Sequence, residues 1–143
     1  MKSESRKGVA IIPIYKGRIV LLKQYRRPYK KPFWNTVMGG LRNGEKISAA
    51  VRRECEEEIG TSSGRFYKLA ETIQLPGSAN VHTTIFYVVL NEKPFIPKEC
   101  TELIKELVFL KPSQLAKWIK SGKIIEATTL LGITMALSNK KIV

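Results

Sequence analysis

The chain is short of the residues that would place it in several large classes. Its two cysteines, Cys55 and Cys100, stand far apart and in no CxxC pairing. Neither a zinc site nor a disulfide framework is expected from them, and both read as reduced thiols of a cytoplasmic protein. There is a single histidine, His82, in a run of β-branched residues. With no second imidazole and no evident Ser or Cys partner, a catalytic triad has no support. No apolar run approaches the ~18 residues that a membrane span needs, and the opening MKSESRKG holds no apolar segment of the kind a secretory signal carries. Internal repeats and low-complexity segments are also lacking.

What is present is enough for a real core. With 143 residues, 43% of them apolar, the chain reads as one domain spanning residues 1–143. The net charge is +13, and its distribution is uneven. Residues 1–31 hold ten Lys/Arg against one Glu, residues 32–61 sum to −1, residues 62–110 to zero and residues 111–143 to +5. Basic ends around an acidic middle could draw in polyanionic substrates or could simply serve solubility.

Turn residues divide the chain. Val9 to Tyr15 and Arg18 to Tyr25 are apolar and β-branched, and Lys16-Gly17 between them reads as a hairpin turn. Pro13 lacks a ladder N–H, so an edge or a bulge is expected there. Phe33 to Met38 is a short strand, and Phe66 to Leu75 and Val81 to Leu90 are longer ones separated by Pro76-Gly77-Ser78. Pro94 to Thr101 is polar and irregular, and Ile104 to Leu110 is a further strand. Pro112-Ser113 opens a short helix with Leu115, Trp118 and Ile119 on one face and Gly122 as its stop. A last helix, Glu126 to Ser138, is weakened by Gly132 in its interior. Helices separated by runs of strands suit a mixed sheet covered on both faces.

The stretch that organises the chain is GGLRNGEKISAAVRRECEEEIGT, residues 39–61. Gly44 beside Glu45 suits a turn, because glycine takes positive φ at no steric cost. From Lys46 to Ile59 there is no Gly or Pro, and Ile47, Val51, Cys55 and Ile59 recur every four residues, an apolar stripe for a core. Glu54, Glu57 and Glu58 stand three and four apart, so their carboxylates share one face. Such a patch is either a solvated acidic surface or a cradle for Mg²⁺ or Mn²⁺, hard cations that take oxygen ligands.

The spacing Gly39, five residues, Glu45, seven residues, Arg53-Glu54, two residues, Glu57-Glu58, one residue, Gly60 resembles the signature of the Nudix hydrolases at all seven fixed positions. Cys55 and Thr61 stand where that signature has larger aliphatic residues. The resemblance implies an α/β/α sandwich with a mixed β-sheet, of the α/β (α+β) class. It also implies a metal-dependent reaction that cleaves the pyrophosphate of a nucleoside diphosphate derivative, with Mg²⁺ (or Mn²⁺) as cofactor. Carried over by position, Glu54 and Glu58 are metal ligands and Glu57 is a ligand or holds a water. The carbonyl of Met38 is a further ligand, and Arg53 and Glu45 support the glutamates through charge-assisted hydrogen bonds.

Three weaker stretches are similar to the ADP-ribose pyrophosphatase branch: Gln24-Tyr25-Arg26, Leu75-Pro76-Gly77-Ser78, and the C-terminal order of strand, short helix with Gly122-Lys123-Ile124, and final helix. This implies ADP-ribose or a related nucleotide sugar as substrate, Arg26 as a phosphate-binding residue, and a general base on the loop before the last strand. Among Glu99, Glu102 and Glu106, position favours Glu102, then Glu99. It further implies that a homodimer is open to this chain.

Other assignments stay open beside these. Lys23 to Lys31, KQYRRPYKK, interleaves aromatics with cations and reads as an RNA surface, a substrate grip with Tyr25 or Tyr29 near the base, or a basic loop. Phe33 and Trp34 read as core, with Trp34 the candidate for lining a base pocket. The alternative functions are an RNA 5′-end pyrophosphohydrolase and a non-catalytic nucleotide- or RNA-binding domain.

Overall fold

The structure is a computed structural model that describes residues 5–100 and 103–139. The elements run β1 (Ser5–Tyr15), β2 (Arg18–Arg26), a 3-10 turn at Arg27–Tyr29, β3 (Lys31–Asn35), β4 (Val37–Gly40), α1 (Ile47–Ile59), β5 (Gly64–Gln74), β6 (Asn80–Leu90), β7 (Ile104–Leu110), α2 (Pro112–Lys120) and α3 (Ala127–Ser138). These are the expected strands and helices, with one refinement. The stretch expected as a single strand from Phe33 is two short strands broken at Thr36.

The sheet is mixed, and β1 is its axis. On one side β1 pairs in parallel with β6, from Ser5↔Asn80 to Ile14↔Val89. On the other it pairs antiparallel first with β4, Gly8↔Gly40 to Ile11↔Val37, and then with β2 at Ile14↔Ile19. β5 flanks β6, while β3 and β7 flank β2. Pro13 therefore sits on a central strand, not at an edge. The missing N–H is tolerated because residues 12 and 13 lie in the gap where β1 changes partner from β4 to β2.

Side-chain alternation along β1 divides the core into two layers. Val9 and Ile11 pack with Val51, Cys55 and Ile59 of α1. Ile12 and Ile14 pack with Leu115 of α2 and Ile133 and Ala136 of α3. The every-fourth-residue stripe of α1 is thus the face that buries against the sheet. At its C-terminal end Gly60 adopts φ 77, and a Cβ there would lie 2.6 Å from the Phe95 ring. Glycine is required there both for the left-handed cap and for the approach of that ring.

Thr36 fixes the turn between β3 and β4. Its N–H donates to Thr129 Oγ1 at 3.0 Å and its hydroxyl to the Ile11 carbonyl. Thr129 in turn donates to Glu126, whose carboxylate caps α3 by accepting from the N–H groups of Thr128 and Thr129. The segment that leads into Gly39 is therefore tied to the first turn of α3, ninety residues further along the chain. No described helix is long and apolar enough to cross a membrane.

Candidate active site

Arg53 is the hub of the acidic stretch. Its Nε and Nη2 grip Glu45 Oε2 and Oε1, both at 2.8 Å. Its Nη1 reaches Glu54 Oε1 at 2.7 Å and Glu57 Oε2 at 3.2 Å, and Nη2 also reaches the Gly40 carbonyl at 3.0 Å. Only 16% of the Arg53 side chain and 6% of the Glu54 side chain are exposed, so this contact is sheltered from the solvent that weakens surface pairs. The fork-to-fork grip of Arg53 holds the Glu45 carboxyl down at about 2, helped by the Arg42 N–H that Glu45 accepts. The same bond to Glu45 raises the guanidinium of Arg53 further above its ordinary range.

Gly39 lets this hub close. A Cβ at that position would stand 2.1 Å from Glu54 Oε1 and 2.2 Å from Glu54 Cδ. The backbone of β4 and the carboxylate of α1 touch only because nothing projects between them. Opposite, Glu57 is more open, 40% exposed, and takes a second cation from Arg42 Nη2 at 3.1 Å.

Three clefts meet along this face. The first, about 580 Å³, is lined by Arg42, Arg53, Glu54, Glu57, Glu99 and Cys100 among others. The second, about 460 Å³, includes Arg6, Lys7, Arg26, Met38, Gly39 and Glu54. The third, about 540 Å³, includes Arg26, Tyr29, Phe33, Asn35, Met38 and Glu126. Glu54 belongs to the first two, and Arg26 and Met38 to the last two, so the clefts adjoin as one trough. It is acidic at one end, cationic in the middle and aromatic at the other end, where Tyr29 and Phe33 meet edge to face at 5.2 Å. Arg6, Lys7 and Arg26 make no ion pair among the described residues.

Carboxylate and backbone oxygens at the junction are the donor types that a hard divalent cation takes. Among the described residues no three His, Cys, Asp or Glu side chains gather into a cage. A cation here would therefore complete its shell with backbone oxygen, water and substrate, the habit of Mg²⁺.

The structure brings together most of the residues singled out from the sequence. Glu45, Arg53, Glu54 and Glu57 form one network, and Met38 and Arg26 line the adjoining clefts. Glu58, also on α1, is wholly buried and lines none of the three clefts. Trp34 is turned away from the trough. Strand alternation sends Phe33 and Asn35 to the cleft and Trp34 to the opposite face, where it packs at 5.1 Å against Trp118 of α2. Phe33 and Tyr29 supply the aromatic surface in its place. Glu106 sits within β7 opposite Lys23, whereas Glu99 reaches the acidic cleft. Glu102 lies outside the described residues. Sequence reasoning missed Asn35, Thr129 and Glu126, whose roles depend on contacts between distant segments and leave no local pattern.

A family model for the NUDIX domain matches residues 4–128. The chain belongs to the NUDIX family. Among curated relatives, the ADP-ribose pyrophosphatase of Bacillus subtilis (strain 168) is 27% identical over 131 residues, covering 88% of this chain and 69% of that protein. The methanol dehydrogenase activator of Bacillus methanolicus is 26% identical over 129 residues, with the same coverage. A solved structure described as an ADP compounds hydrolase superposes with a TM-score of 0.84 over 99% of this chain and 76% of that one, at 18% identity. That likeness establishes the α/β layering of the Nudix fold. By family this protein is a hydrolase of the pyrophosphatase type, and Nudix hydrolases generally use divalent metals.

Proposed function

We propose that this Nudix protein is a metal-dependent pyrophosphatase that splits ADP-ribose, or a related nucleotide sugar, into a nucleoside monophosphate and a sugar phosphate. The observation that carries this reading is the division of charge along the trough. Glu54 and Glu57 line the acidic cleft, and Glu54 is shared with the adjoining cleft of Gly39, Arg6, Lys7 and Arg26. A diphosphate lying across Gly39 has cations for its oxygens and carboxylates facing its bridging bond. The aromatic end, with Tyr29 and Phe33, takes the nucleoside. The B. subtilis relative named as an ADP-ribose pyrophosphatase supports the choice of substrate.

The residues fit a divalent cation, Mg²⁺ or Mn²⁺. Glu54 and Glu57 would hold it, with Met38 offering its carbonyl, while Glu58, the other ligand expected by position, is buried outside the lining of the clefts. Bound there, it would supply neutralisation of the pyrophosphate oxygens and a water of lowered pKa. The remaining work falls to the protein. Arg26 holds a phosphate oxygen and orients the diphosphate. Arg53, itself held by Glu45, keeps the Glu54 and Glu57 carboxylates aimed. A glutamate of the loop before β7 accepts the proton of the attacking water, Glu102 by its sequence position and Glu99 by its place in the acidic cleft.

The test is product analysis with pure protein, Mg²⁺ and ADP-ribose. AMP should form with the wild type and fade with Glu57→Gln. Of Glu99→Gln and Glu102→Gln, the variant that removes the base should lose at least ~10²-fold in kcat. Near-normal turnover by both ends the loop-base assignment, and absence of AMP with the wild type ends the ADP-ribose reading. A second reading, trimming of RNA 5′ ends, is favoured by the placement of Arg6 and Lys7 of the basic N-terminal region in the trough. It predicts a fall in affinity of powers of ten between low and moderate salt, which a small substrate would not show.

A further inference from the structure

Two arginines of the trough have opposite environments. Arg53 is consumed by carboxylates, with contacts to Glu45, Glu54 and Glu57. Arg26, at the end of β2, has no carboxylate partner among the described residues, and it lines both the cationic and the aromatic clefts. What holds it is Asn35. This residue is wholly buried in β3, on the strand face it shares with Phe33. One terminal atom of its amide stands 3.1 Å from Arg26 Nε and 2.9 Å from Arg26 Nη2. Both guanidinium nitrogens are donors, so that atom is the amide oxygen. The amide nitrogen then donates to the Trp34 carbonyl at 3.2 Å. The terminal atom that faces Arg26 also stands 3.3 Å from a terminal atom of the buried Gln24 carboxamide, and with oxygen at that position of Asn35 the Gln24 amide must present its nitrogen to bond there.

We propose that Asn35 is the positioning residue of Arg26, a neutral acceptor that fixes the guanidinium without cancelling its charge, so that Arg26 meets a diphosphate as a pre-aimed cation. This rests on the reading of the trough as a diphosphate site. Two-point acceptance at Nε and Nη2 immobilises the plane of the fork. It leaves Nη1 and the second N–H of Nη2 to face the ligand. Pre-aiming removes ordering cost that binding would otherwise carry. A carboxylate at position 35 would accept the same two bonds from Arg26 with almost the same shape, but it could not donate to the Trp34 carbonyl, and it would pair with Arg26 and offset the charge that the diphosphate needs. The choice of amide over acid is therefore the chemical content of the position. Tyr29 and Phe33 beside it carry no charge, and Glu126 of the same cleft is engaged by Thr128 and Thr129 at the start of α3.

The test uses Asn35→Asp, Asn35→Ala and Arg26→Ala. Inorganic pyrophosphate and ADP-ribose are titrated calorimetrically into the metal-free full chain, and KM and kcat are measured for ADP-ribose with Mg²⁺. Asn35→Asp should weaken pyrophosphate binding roughly tenfold or more, the scale of a lost charge-assisted contact. It should raise KM far more than it lowers kcat. Arg26→Ala should give a similar loss, and adding Asn35→Asp to Arg26→Ala should cost little more, because the two act through one group. Asn35→Ala, which keeps the charge and removes the aim, should fall between wild type and Asn35→Asp.

Wild-type affinity in Asn35→Asp overturns the proposal, as does a loss that persists undiminished when Arg26 is already alanine, since that is the mark of a merely structural role. Absence of pyrophosphate binding by the metal-free wild type overturns it as well. If the wild type binds pyrophosphate but forms no AMP, the ADP-ribose reading fails, while the pyrophosphate titrations still decide the role of Asn35.

Discussion

Gly39→Ala tests whether the junction of β4 and α1 works as described. Gly39 lies outside the left-handed region, so alanine meets no backbone penalty and the whole effect is contact. The new methyl group would stand 2.1 Å from Glu54 Oε1, where ordinary contact begins at 3.4 Å. The carboxylate must therefore withdraw by about 1.3 Å. It has little room, being 6% exposed and tied at 2.7 Å to Arg53. A misplacement of ~1 Å in an active-site group can cost ~10²-fold in rate, so kcat for AMP release from ADP-ribose should fall by at least that factor. Thermal denaturation should change little in comparison, because the apolar core beneath α1 is untouched. At the neighbouring glycine a Cβ would meet only the Lys7 carbonyl, at 3.9 Å, so Gly40→Ala should lose far less. Gly39→Ala turnover within about threefold of wild type would refute the claim that Glu54 must sit where it does.

Two further predictions concern stability. The Glu45 carboxyl is held at about 2 by Arg53, against 4.5 for an ordinary glutamate. Its contribution is thus fully present above 4.5 and lost as the pH falls towards 2. The Tm gap between wild type and Glu45→Gln should be flat at neutral pH and shrink below about pH 4.5, and a gap unchanged down to about pH 3 would count against the pairing. For Gly132→Ala two effects compete. A helix interior gains about 1 kcal/mol when glycine becomes alanine, but the new Cβ would lie 2.7 Å from Cδ1 of the buried Ile12, and overpacking costs about 1–3 kcal/mol. The Tm should fall, and a rise would mean that the contact between α3 and β1 relaxes more freely than the packing suggests.

Gly132 illustrates what a sequence conveys and what it does not. Read along the chain it weakens a helix. In the fold it lies against Ile12 of β1, with no room for a side chain. Local chemistry made much of the protein legible beforehand. The strands follow from β-branched runs bounded by Gly and Pro, and α1 from its four-residue stripe. Glu54 and Glu57 stand three apart on one helix, so spacing puts them on one face, while the part of Arg53 and Glu45 in their network is implied by the resemblance to the Nudix signature.

Tertiary structure decided the rest, because it depends on which distant segments become neighbours. Pro13 reads as an edge or bulge residue, but only the switch of β1 from β4 to β2 shows how a central strand admits it. Phe33 and Trp34 both read as core from the sequence, with Trp34 the candidate for a pocket, but the cleft is lined by Phe33 and Asn35 of β3 while Trp34 packs on Trp118. The sequence by itself determined the acidic machinery and the family. The grip on Arg26 by Asn35, and the tie from Thr36 through Thr129 to Glu126, came only with the folded sheet. A hydrogen bond between segments far apart in the chain has no periodicity to betray it.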